Sequence, residues 1–269
     1  MKAKILLDGG TPKVPPVELK RVIQSAGIGV SEDKADFGIV VGGDGRFSRY
    51  GRTESIPLLF VGVRSKAPTG SRAYLAQTTF NELRVALKQI RKGVYSIDEH
   101  PRLAVLKNGR ALGEVFTDVY LQRGGDSACI RYHVRITGKG VRIDEDAIGD
   151  GVVISTRAGS TGYYSYPDRI RGEWMDPTAF AKIGKNEIGV CHVNPTYTQR
   201  SGLSQHPLRY KVPWGCTIKL SLFRKADARV YGTTDGRAGV KIALKDEITI
   251  RRGKQATKII VLGRTGEGH

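Results

Sequence analysis

Asp36-Phe37-Gly38-Ile39-Val40-Val41-Gly42-Gly43-Asp44-Gly45 decides how this chain is read. A short, continuous apolar run rich in β-branched residues reads as a strand covered on both faces. It stops abruptly in Gly-Gly-Asp-Gly, a turn with no side-chain bulk apart from one carboxylate. Glycines can take positive φ and let a phosphate or ribose approach the backbone, whose N–H groups then act as donors. Asp44 points at whatever sits there. The combination suits a hydroxyl acceptor beside a phosphate donor, as a kinase needs; the competing reading is an ordinary Asp-Gly turn.

A second stretch downstream has the same build. Asp150-Gly151-Val152-Val153-Ile154-Ser155-Thr156-Arg157-Ala158-Gly159-Ser160-Thr161-Gly162-Tyr163 passes from a β-branched strand into small polar residues. Such a turn offers backbone N–H groups, hydroxyls and one aromatic face, together able to hold a nucleotide. In this order and separation the two stretches resemble the NAD kinase family. That family carries Gly-Gly-Asp-Gly near its start and a Thr-Pro-Thr-Gly-Ser-Thr-Ala-Tyr type segment midway. Asp235-Gly236, ahead of Val240-Lys241-Ile242, matches a third family feature, and the resemblance runs from about Ala35 to Leu262.

The resemblance implies a kinase that phosphorylates the 2′-hydroxyl of the adenosine ribose of NAD to give NADP. ATP or polyphosphate would be the donor and Mg²⁺ the cofactor, held mainly by phosphates and water. Asp44 would take the proton from that hydroxyl, or orient it, as the oxygen attacks the γ-phosphate. Gly43, Gly45 and Arg46 would bind beside it. Thr117 and Asp118 stand where the family has an Asn-Glu or Asn-Asp pair holding the dinucleotide, and Asp150 where an aspartate meets the nicotinamide end. Thr156, Arg157, Ser160, Thr161 and Tyr163 match the midway motif; Thr161 and Tyr163 would touch adenine, while Gly159 and Ser160 shape the loop. NAD/NADP as ligand and a homodimer or homotetramer are implied as well.

The departures bear on the substrate. Arg46 stands where the family has Thr, Thr117 replaces Asn, and Arg157 and Ala158 replace Pro and a second hydroxyl. The segment Gly62-Val63-Arg64-Ser65-Lys66-Ala67-Pro68-Thr69-Gly70 is altered too. A threonine hydroxyl cannot reproduce an amide's donors and acceptor. These changes leave open a related kinase acting on another hydroxyl acceptor, or a nucleotide-binding homologue without catalysis. Each residue also has a plain reading. Asp118 could face solvent, Asp150 could hold a turn, and the tyrosines could simply pack. Arg46 and Arg157 could clamp phosphates or lie in water, and His206 reads as a surface or supporting histidine.

The chain has 269 residues, 39% of them hydrophobic, enough for two domains. Lys and Arg exceed Asp and Glu by 44 − 26 = 18, a balance that favours anionic partners. The basic residues are scattered and no aromatic-interleaved stripe appears, which speaks against sequence-reading nucleic-acid binding. Cys129, Cys191 and Cys216 are widely spaced, so buried reduced thiols are expected rather than disulfides or zinc. No apolar stretch approaches the ~20 residues of a membrane span, and the N-terminus reads as a strand rather than a signal peptide. A cytoplasmic protein is expected.

Residues 1–95 alternate as an α/β domain with a parallel sheet, carrying the Gly-Gly-Asp-Gly loop. Strands are expected at Lys4–Leu7, Phe37–Val41 and Pro57–Val63, and helices at Val17–Ser25 and Thr78–Lys92. Residues 96–269 read as a β-rich domain that binds the dinucleotide, its last segment able to return to the first domain. Asn108-Gly109, between Leu103–Lys107 and Ala111–Gln122, is a strong hairpin signal. Further strands are expected at Cys129–Thr137, Val141–Ile143, Val152–Ser155, Thr217–Phe223, Val240–Ala243, Glu247–Arg251 and Lys258–Leu262.

Overall fold

The computed structural model describes residues 1–7, 14–63, 72–125, 128–170, 180–200, 207–233 and 238–263. The segment from Arg64 to Gly70, His206 and Asp235-Gly236 lie outside the described residues. The chain divides into two compact units, one of Met1–His100 with Ala256–His269 and one of Pro101–Gln255.

The first unit runs β1 (Lys2–Leu6), α1 (Pro16–Ser25), β2 (Gly29–Val30), β3 (Phe37–Gly42), α2 (Asp44–Thr53), β4 (Leu58–Gly62), β5 (Thr78–Thr79) and α3 (Leu83–Arg91). β4, β3, β1 and β2 lie side by side, all parallel. Every residue of β3 is buried, as a strand covered on both faces requires. Leu19 and Ile23 of α1 and Leu83, Leu87 and Ile90 of α3 meet Ile39, Val41, Leu59 and Val61 of the sheet. Each such burial is worth roughly 1.5–3 kcal/mol. α2 adds Phe47, stacked on Phe60 of β4 at 4.6 Å.

Several features differ from expectation here, among them the short strand β2, which was not expected, and β1, which starts at Lys2 and ends at Leu6. The helix expected over Thr78–Lys92 begins at Leu83, because Thr78 and Thr79 pair instead with Val61 and Gly62. α2 has no counterpart in the sequence reading. Its only buried residues are Phe47 and Gly51, too sparse an apolar period to reveal a helix.

The chain enters the second unit along β6 (Tyr95–Lys107) and continues through β7 (Arg110–Val115), β8 (Asp118–Arg123), β9 (Ile130–Gly138), β10 (Val141–Gly149) and β11 (Gly151–Ser155). After α4 (Tyr166–Ile170) come β12 (Glu187–Val193), β13 (Tyr197–Arg200), β14 (Arg209–Pro213), β15 (Thr217–Leu222), β16 (Ala228–Tyr231), β17 (Val240–Ile242) and β18 (Glu247–Leu262). Within this unit one layer orders β13-β10-β9-β15-β18 and the other β14-β12-β11-β8-β16-β17. Val119, Leu121, Val152 and Ile154 of the second layer share a core with Tyr132, Val134, Ile136, Leu220 and Ile250 of the first. The end of β18 belongs to the first unit, where Ile259 pairs in parallel with Leu58.

Asn108 and Gly109 take φ of 50° and 80°, the two positive values that a two-residue hairpin turn requires. The strand expected over Ala111–Gln122 breaks at Phe116-Thr117, so that β7 pairs with β6 while β8 joins the other layer. Thr156 holds the break. Its hydroxyl donates to Phe116 O at 2.6 Å and its N–H to Thr117 O at 2.8 Å. The strand expected at Val141–Ile143 extends to Gly149, and the two expected near the C-terminus are one. β12, β13, β14 and β16 were not expected. Cys129 is exposed, against the expectation of burial, while Cys191 and Cys216 are buried.

Candidate functional site

In the first unit, the chemistry expected of the Gly-Gly-Asp-Gly loop falls where β3 becomes α2. Gly43 is the N-cap, at φ −110°, and Asp44 is the first helical residue. First-turn N–H groups of a helix have no intrahelical acceptor, and Gly43 supplies no side chain to cap them. The position is favourable for a carboxylate, and the Arg46 N–H is met by the Gly43 carbonyl at 3.0 Å. Asp44 Oδ1 accepts the backbone N–H of Leu75 at 2.9 Å, which fixes its aim. A Cβ on Gly45 would meet nothing within 4 Å, so a ligand has room to approach the backbone at Gly45.

Arg46 lies back along the strand end. Its Nη1 donates to Val41 O at 2.9 Å, and its side chain occupies the bare face of Gly42, 3.0 Å from where a Cβ would stand. In this structure the room at Gly42 is filled by a guanidinium, whereas the sequence reading gave it to a ligand.

In the second unit, β11 delivers the midway motif into two short 3₁₀ turns, Arg157–Gly159 and Tyr163–Ser165. The hydroxyls of Thr156 and Ser160 turn inward: Ser160 Oγ donates to Arg157 O at 2.7 Å and accepts Ile183 N–H at 3.1 Å. Gly159 packs so closely on Thr117 that a Cβ would come within 2.5 Å of its carbonyl oxygen. Arg157 is exposed. The carbonyl of Thr161 accepts Arg169 Nη2.

Asp118, half-buried on β8, is brought under this loop. Burial pushes its carboxyl up to about 6, partly offset by hydrogen bonds from the backbone N–H of Tyr163 and from the Thr117 side chain. A carboxyl poised there can accept a ribose hydroxyl when ionised, or donate when protonated. Asp150 sits differently. Arg123 Nε lies 2.7 Å from its Oδ1 and Asn194 Nδ2 donates to its Oδ2 at 2.9 Å. Both oxygens hold the β10–β11 corner.

Tyr120, Gln122 and Tyr231 escaped the sequence reading. Asp118, Tyr120 and Gln122 alternate along β8 and therefore share a face. Gln122 Nε2 donates to the Tyr163 hydroxyl at 3.3 Å. The Tyr120 ring meets Tyr163 edge-on at 5.2 Å and stacks on Tyr231 of β16 at 5.2 Å. The period-two pattern of Asp-Val-Tyr-Leu-Gln was the available signal for Tyr120 and Gln122. Tyr231 had none, since only strand pairing opposite Tyr120 brings it there. Among the described residues no group of three or more His, Cys, Asp or Glu side chains is placed to hold a metal, and no helix is long and apolar enough to cross a membrane.

No protein-family model matches the chain. Among curated proteins, the NAD kinase of Geobacter sulfurreducens is 26% identical over 234 residues, covering 84% of this chain and 73% of that protein. The NAD kinase of Natranaerobius thermophilus is 25% identical over 252 residues, covering 90% and 78%. Among solved structures, an NAD kinase from Archaeoglobus fulgidus in complex with ATP gives a TM-score of 0.66 at 18% identity, covering 96% of this chain and 93% of that one. Yeast NADH kinase complexed with NADH gives 0.72 at 13% identity, covering 98% and 84%. The fold is that of the NAD kinases, an α/β unit with a parallel sheet and a β-rich unit.

Proposed function

We propose that this divergent relative of the NAD kinases is a phosphotransferase that makes NADP, moving a phosphoryl group from ATP or polyphosphate to the 2′-hydroxyl of the adenosine ribose of NAD. The observation that carries the reading is Asp44, aimed by Leu75 N–H at the end of β3 next to the unobstructed Gly45, in a chain that aligns with NAD kinases over most of its length. In the step itself the hydroxyl oxygen forms a bond to the terminal phosphorus of the donor. The bond to the bridging oxygen breaks, the leaving phosphate keeps its electron pair, and the hydroxyl proton passes to Asp44. General-base help of this kind contributes roughly 10²–10⁴-fold; positioning and charge neutralisation supply the rest.

Mg²⁺ suits these residues as an ion carried on the donor phosphates. Asp44 is the carboxylate that would face it, and the ion would neutralise phosphate charge. Asp118 and Tyr163 are assigned to the nucleotide. Asp150 is assigned to holding the loop, because both its oxygens are bonded within the protein. Assembly as a homodimer or homotetramer is proposed on the family resemblance alone.

A second reading keeps the chemistry and changes the acceptor. It is favoured by Thr117, whose side chain bonds Asp118 where the family offers an amide to the dinucleotide. Incubating the purified protein with Mg²⁺, ATP or polyphosphate, and NAD or NADH decides between them. NADP or NADPH formed by wild type and lost in Asp44→Asn supports the first reading. Donor consumption only with other hydroxyl compounds supports the second, and nucleotide binding without any turnover removes both.

A further inference from the structure

Tyr163 is held to β8 at three points. Its backbone N–H reaches Asp118, its hydroxyl accepts Gln122 Nε2 at 3.3 Å, and its ring packs T-shaped with that of Tyr120 at 5.2 Å, with the planes 85° apart. These three residues occupy alternate positions of one strand and so form a row on a single face. The row does not stand alone. Tyr120 is backed by Tyr231, directly opposite it on β16, with the rings 17° from parallel. Tyr166 also packs against Tyr163, with ring centroids 6.2 Å apart.

An exposed tyrosine at a binding loop ordinarily moves between rotamers and loses that freedom when a ligand arrives, at roughly 0.5–1.5 kcal/mol per side chain. Tyr163 is spared that loss because its orientation is set before any ligand is present. We propose that Tyr120 and Gln122 are positioning residues that preset the Tyr163 ring for the nucleotide, and so control affinity for the acceptor rather than the rate of phosphoryl transfer. The proposal rests on the reading of Tyr163 as part of the nucleotide site. Neither residue has a role in the motif that suggested that reading, and both act only through Tyr163. Tyr120 contributes by its ring, so phenylalanine should replace it. Gln122 contributes by its amide, which leucine cannot replace.

The test compares wild type with Tyr120→Leu, Tyr120→Phe and Gln122→Leu in two measurements. One is the flip rate of the Tyr163 ring by NMR of ring-labelled tyrosine, its signals assigned through Tyr163→Phe. The other is KM and kcat for NAD with ATP and Mg²⁺. The expected result is a Tyr163 flip rate at least tenfold faster in both leucine variants. KM should rise roughly 3- to 10-fold with kcat within twofold, and Tyr120→Phe should restore both. A flip rate unchanged in Gln122→Leu overturns the proposal, as does a faster ring with KM unaltered. A fall in kcat and melting temperature at constant KM would show a structural role only, and overturns it too. Should wild type neither bind nor phosphorylate NAD, the functional reading falls and the flip rates alone decide whether the residues position Tyr163.

Discussion

Asp44 Oδ1 and the backbone N–H of Leu75 are joined by a 2.9 Å hydrogen bond across thirty-one residues of chain. The side chain assigned to proton transfer is thus also a structural acceptor, and its two roles separate by substitution. Asn keeps an oxygen for Leu75 but cannot take a proton. Ala removes both.

Asp44→Asn should therefore lower kcat by roughly 10²–10⁴-fold with little change in melting temperature. Asp44→Ala should lose activity equally and also destabilise the protein by about 1–2 kcal/mol, because a half-buried donor is left unmet. Calorimetry beside the activity assay checks the pair, and equal melting temperatures for the two variants would contradict it.

Asp118 should make stability depend on pH. Its carboxyl is raised from the ordinary 3.8 to about 6, so between these values the folded state holds more protons than the unfolded state. Its contribution is fully present below pH ~4 and is lost as pH rises through ~6. At pH 7.5, Asp118→Asn should be more stable than wild type by about 1–3 kcal/mol, and at pH 4 the difference should vanish. Denaturant melts at both pH values check the sign. NAD binding should weaken in the variant if the ionised carboxylate accepts a ribose hydroxyl.

Asp168 and Arg209 form a bidentate pair, both contacts 2.7 Å, with the carboxylate side chain 4% exposed. Asp168 also accepts Ala181 N–H, tying α4 to the segment before β12. Removing one partner of a buried pair costs about 3–5 kcal/mol. Asp168→Ala should accordingly lower the melting temperature by roughly 10 °C. Asp168→Leu combined with Arg209→Met should recover more than half of that loss, since no charge is then stranded. A double variant as unstable as the single one would refute this account.

Gly151 sits at φ +149°, and a Cβ there would lie 2.0 Å from the carbonyl oxygen of Leu121. Gly151→Ala should force β11 away from β8 at the very start of their pairing and cost more than about 3 kcal/mol. Expression of soluble, cooperatively melting Gly151→Ala at the wild-type melting temperature would show the contact to be relaxed at no expense.

The order of residues alone revealed local features. β3 was legible because six buried residues in a row leave no alternative to a covered strand. The hairpin was legible because Asn108-Gly109 tolerates the positive φ that few other pairs do. The place of Asp44, just past the end of β3, was legible because the apolar run stops at Gly-Gly-Asp-Gly. α2 was not, since a helix resting on one phenylalanine stacked against Phe60 has almost no period to read. Nor was the break at Phe116-Thr117, which depends on Thr156 arriving from forty residues away to satisfy two carbonyls.

Tertiary structure alone decided what the polar residues do. A carboxylate's behaviour is set by its neighbours and by how much water it keeps. Asp118 and Asp150 were both open to a binding role along the chain, yet burial beneath Tyr163 raises one to about 6 while Arg123 and Asn194 bind the other on both oxygens. Arg46 could equally have pointed to water, but the missing side chain of Gly42 gives it a place against the strand end. The order of residues supplies the chemical groups, and the packing of strands from distant parts of the chain fixes which are free to act.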